Sequence, residues 1–121
     1  MMGSSILSGA HKRFRAMIDL IETEIVVDFI PESAHYTITA TQLHGTFISG
    51  TITPVESSTG RRFVYEVFLD EDGVFLQVAQ TIATNLNIDK SISLRLCFRD
   101  YEARTIMDFL DVLEYILFCV L

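Results

Sequence analysis

The sequence has no tryptophan, only two prolines and two cysteines among its 121 residues, and each shortage excludes something. With so little proline and half the residues hydrophobic, wholesale disorder is excluded. Cys97 and Cys119 are too few for a disulfide scaffold and lack the paired spacing of a zinc site. Positive charge is scarce as well. Nine Lys and Arg against sixteen Asp and Glu give a net charge of −7. That balance argues against DNA or RNA as a partner, because such affinity rests on many cation–phosphate contacts. The longest apolar run, Tyr115–Leu121, is far below the roughly 20 residues a membrane helix needs, so no membrane insertion is expected. Met1–Ala10 does not have the order of a signal peptide, since its small residues precede the basic cluster. Residues 1–10 read as a flexible lead and residues 11–121 as one acidic domain, expected in the cytoplasm.

What the chain does have is strand-forming sequence. Met17–Phe29, Tyr36–Thr41, Thr46–Thr53, Arg61–Leu69, Val74–Ala83 and Ser91–Arg99 are rich in β-branched and aromatic residues and predict six strands. The last alternates most cleanly, with Ile92, Leu94, Leu96 and Phe98 on one face and Ser93, Arg95, Cys97 and Arg99 on the other. Pro31–Ser33 reads as a turn, Pro54–Gly60 as a surface loop, and Asp70–Gly73 as a hairpin turn. From Asp100 the period becomes helical. Ile106, Phe109, Leu110, Leu113, Ile116, Leu117 and Val120 form one stripe, which predicts a helix over about residues 100–121 with Asp100 as its N-cap. The expected fold is mostly β: a six-stranded antiparallel β-barrel with a C-terminal α-helix.

Catalytic constellations are missing. His11, His35 and His44 are scattered, and neither an HExxH pattern nor a glycine-rich phosphate loop occurs. Asp70, Glu71 and Asp72 read as a solvated turn, because no glutamate sits at the spacing of a calcium loop. Cys97, between Arg95 and Arg99, is either a thiol of lowered pKa or, the preferred reading, a small residue on a half-polar face. The expectation is a protein without enzymatic activity, metal or cofactor. The basic run His11-Lys12-Arg13-Phe14-Arg15 stands apart. It reads equally as an anion clamp or as a solvated arm, and Arg61 and Arg62 are candidates to extend it.

The layout resembles a PilZ domain, the small six-stranded barrel that receives cyclic di-GMP in many bacteria. Lys12-Arg13-Phe14-Arg15 stands where that family carries its RxxxR switch, and Thr39–Ile48 resembles its [D/N]xSxxG segment. Ser93–Asp100 followed by Tyr101–Leu113 is similar to the closing strand and helix. The resemblance implies a non-enzymatic signalling module whose ligand would meet Lys12, Arg13, Arg15, Gln42 and Gly45. Both motifs are altered: Ala40 and Gln42 stand where the family has Asp or Asn and Ser, and no two arginines are four apart in the first motif. At about 1–3 kcal/mol per ligand group left unpaired, that implies weak or lost binding. The alternative is a protein-interaction or chaperone-like module. It would act through its apolar C-terminal helix around Leu113, Ile116, Leu117 and Val120, by self-association or by holding a partner segment.

Overall fold

The basic cluster is not an arm ahead of the first strand but the first strand itself. β1 (His11–Ile18) pairs antiparallel with β2 (Ile21–Ile30), from His11 opposite Asp28 to Ile18 opposite Ile21. Asp19 and Leu20 between them have φ of 51° and 64°, the two positive values a tight hairpin turn demands. The single strand expected over Met17–Phe29 is thus the end of one strand and most of the next. This computed structural model describes residues 11–70 and 72–120, with Cys119 and Val120 described by backbone alone. The expected lead over residues 1–10, Glu71 of the acidic turn and the side chain of Val120 lie outside the described residues.

β3 (His35–Thr41) follows a 3-10 turn at Pro31–Ser33 and pairs with β2. β4 (Thr46–Ser57) and β5 (Gly60–Leu69) form a second hairpin. Most of the loop expected at Pro54–Gly60 is therefore strand. Pro54 lies past Ile52, where the other ladder of β4 ends, so its missing N–H interrupts nothing on that side. The larger correction is Val74–Ala83, expected as a strand and found as helix α1 (Val74–Leu86). β6 (Ser91–Phe98) and α2 (Ala103–Tyr115) follow, and one π-helical turn, Ile116–Val120, extends α2.

The strands lie in the order β1-β2-β3-β6-β4-β5, with β6 parallel to β3 and antiparallel to β4. The molecule is β-rich as expected, but its sheet is mixed and open, not an antiparallel barrel. The cause is α1. It carries the chain from the edge strand β5 back to the middle of the sheet, a crossover that parallel pairing requires and a meandering barrel does not contain. α1 packs on β4 and β5, and α2 packs beside it and on β1, so the helices cover one face. That face holds the core: Ile25, Val27, Ile38, Ile48, Ile52, Leu94 and Leu96 from the sheet against Phe75, Val78, Ile82, Phe109 and Leu113 from the helices. Each such side chain contributes about 1.5–3 kcal/mol on leaving water. The opposite face carries small polar residues such as Thr37, Thr39, Ser49, Thr51 and Ser93, and neither helix of the described residues packs on it.

Candidate functional site

Alternation along β1 places His11, Arg13 and Arg15 on the open face beside the acidic residues of β2. Arg13 Nη1 donates to Glu24 Oε2 at 3.0 Å, Arg15 lies 3.3 Å from Glu22, and His11 meets Asp28. Lys12 is exposed and alternates to the other face. The cluster is therefore largely matched by its own neighbours, in exposed pairs that contribute little to stability. Arg61 and Arg62 do not extend it, because they lie on β5 at the far edge of the sheet. Arg61 is held there by Glu56 and by the carbonyls of Asn87 and Ile88, the latter at 2.8 and 3.1 Å.

Gln42 is buried. Its Nε2 donates to the Ile18 carbonyl at 3.1 Å and to Thr23 Oγ1 at 3.0 Å, and its Oε1 accepts the Arg99 N–H at 3.0 Å. Its backbone N–H donates to the Cys97 carbonyl at 2.8 Å. The residue expected to orient a ligand instead ties together the ends of β1, β3 and β6. Gly45 serves the same turn. A Cβ there would lie 2.5 Å from the Cys97 carbonyl oxygen, so glycine is what lets the chain cross Cys97. Beneath it Cys97 is buried, and burial pushes its thiol pKa up against a smaller lowering from the Gly45 backbone. Arg99 turns away and donates from Nε to the Leu43 carbonyl at 2.9 Å.

A shallow groove of about 430 Å³ does bring Arg15 and Gln42 together, along with Leu43 and His44. Glu22 and Glu24 line it too and oppose an anion. The helix residues separate in another way. Leu113 and Ile116 are buried and Leu117 is half-buried, so the apolar stripe of α2 largely completes the core. Among the described residues, no group of three or more His, Cys, Asp or Glu is placed to hold a metal ion. No helix among them is long and apolar enough to cross a membrane.

The sequence reading missed a rim of apolar side chains at one end of the sheet. Leu20 is 86% exposed, Leu43 71%, Phe68 64%, Phe47 53% and Leu69 50%. They come from the β1–β2 turn, the β3–β4 turn, the start of β4 and the end of β5, which the strand registers bring to the same end. The available signal was positional: a leucine inside each of two tight turns has no core to enter. No protein-family model matches the chain, and no curated protein matches it. Among solved structures, a crystal structure of a chaperone complex for yeast 20S proteasome assembly aligns with 88% of this chain and 92% of its own, at TM-score 0.52 and 12% identity. The likeness is one of fold. It implies no shared residues at the rim.

Proposed function

We propose that the protein is a non-enzymatic, chaperone-like binding module that holds a partner polypeptide against the apolar rim formed by Leu20, Leu43, Phe47, Phe68 and Leu69. The observation that carries this reading is the exposure of five large apolar side chains at one end of a sheet. Large apolar side chains left in water along one end of a small domain suit a protein contact. The rim has a rigid base, since Gln42 fixes the turn that bears Leu43. A net charge of −7 favours a partner segment with basic residues beside its apolar ones. The fold shared with an assembly chaperone is consistent with such a role.

A photo-reactive residue placed at Phe47, and in a separate variant at Glu32 on the opposite end, tests the assignment. Cross-linking of one cellular polypeptide from position 47, lost on Leu43→Ser and absent from position 32, is the expected result. Equal labelling from both positions removes the reading. Titration with cyclic di-GMP, beside an Arg13→Ala/Arg15→Ala variant, separates it from nucleotide reception. Heat that the variant abolishes would assign the protein to the receptor class instead.

A further inference from the structure

Among the described residues β5 pairs with β4 alone, so the N–H and C=O groups along its other edge have no strand partner there. Such an edge is a template for another strand unless charge, proline or a covering element guards it. The opposite edge is guarded: β1 carries Lys12, Arg13 and Arg15. β5 has no proline and is ten residues long, with Val64 and Val67 exposed. It too carries charge, in Arg61, Arg62 and Glu66, and of these Arg61 is paired with Glu56. Arg62, Val64 and Glu66 share one face by alternation, and neither Arg62 nor Glu66 has an ion-pair partner among the described residues.

We infer that β5 is the contact strand of a homodimer, in which two copies pair antiparallel about a two-fold axis through Val64. That register sets Arg62 of each copy opposite Glu66 of the other and Phe63 opposite Tyr65, so both charges are matched twice and the aromatic pairs close over the edge. Neighbouring registers fail the same test. Centring on Phe63 puts Arg62 opposite Val64 and Glu66 opposite Gly60. Centring on Tyr65 puts Arg62 opposite Phe68. The result is one continuous sheet, built from two six-stranded halves. Leu20, Leu43 and Phe47 of the rim lie outside the paired span, whereas Phe68 falls opposite Gly60 within it, so the dimer and the rim share that one position.

Sedimentation equilibrium on the full chain tests it, with circular dichroism confirming that each variant is folded. The wild type dimerises in the micromolar range, and Arg62→Glu or Glu66→Arg alone weakens the dimer by about tenfold or more, since like charges then face each other twice. Mixing the two single variants in equal amounts restores a dimer, because acid then faces base at both sites. The double variant Arg62→Glu/Glu66→Arg restores it without mixing. A wild type that stays monomeric up to about 100 μM overturns the inference, since no strand-paired dimer of useful affinity would then exist. Single variants as dimeric as the wild type, or a mixture that stays monomeric, overturn it equally.

Discussion

Replacing Gln42 with alanine strips three hydrogen bonds from a buried amide and leaves the Arg99 N–H, the Ile18 carbonyl and Thr23 Oγ1 without it. Unmade buried bonds cost more than made ones gain, so the expected loss is about 2–3 kcal/mol in urea unfolding. A loss within error of zero would mean that the turn relaxes and water replaces the amide. Tyr101 holds a similar junction near the same end: its hydroxyl donates to the Thr46 carbonyl at 2.6 Å and accepts the Phe98 N–H at 3.1 Å. Burial, partly offset by the Phe98 N–H, raises its pKa from 10.0 to about 12. Between those values the unfolded phenol ionises while the folded one does not. The stability Tyr101 supplies is thus complete below pH 10 and is lost as pH rises towards about 12. Tyr101→Phe should flatten that alkaline fall in a series of thermal melts, while lowering stability at neutral pH by about 1–2 kcal/mol.

At the scale of elements, the packing of α1 on β4 turns on Gly50. A Cβ there would lie 2.3 Å from the Glu66 carbonyl oxygen and 2.5 Å from the Phe75 ring. Gly50→Ala must push the helix or the β5 ladder aside, at a cost of about 1–3 kcal/mol measured by denaturation. Gly60→Ala meets no neighbouring atom but bears a φ of +125°, so its cost is local strain alone. α1 is also where the sequence was misread. Val74, Val78, Ile82 and Thr81 gave the segment a strand-like composition, yet Phe75, Val78, Ala79, Ile82 and Ala83 fall at helical steps and are all buried. The helical period is present in the sequence beneath a strand-like composition. The turn chemistry before it was read correctly in part, since Asp72 and Gly73 do have positive φ, but Asp70 accepts the Phe75 N–H at 2.8 Å and leads into a helix. β6 and α2 were clear because their periods are unmixed. The insertion of β6 between β3 and β4 was not, because it depends on α1 crossing the sheet, which no local pattern encodes. The surroundings of Arg13, Arg15 and Gln42 were illegible for a related reason: the partners they meet on β2 and at the end of β6 are set by strand pairing and not by any local pattern.

At the scale of the whole molecule, an apolar rim coexists with a charge of −7, and the two make separable contributions to binding. The rim side chains touch little of the core, so Leu43→Ser, Phe47→Ser and Phe68→Ser together should change unfolding stability by no more than about 0.5 kcal/mol per site. The same triple variant should bind the cross-linked partner at least about tenfold more weakly, because desolvated apolar contacts dominate such interfaces. Salt acts on the other contribution. Raising ionic strength screens the attraction between an acidic module and a basic segment, which slows association and leaves dissociation nearly unchanged. Surface plasmon resonance at rising salt therefore separates the two: wild type and triple variant should share the salt dependence of the on-rate and differ in the off-rate. A triple variant with an unaltered off-rate would place the partner elsewhere, and the open face of the sheet, with Arg95 and its flanking serines and threonines, would then be the surface to alter next.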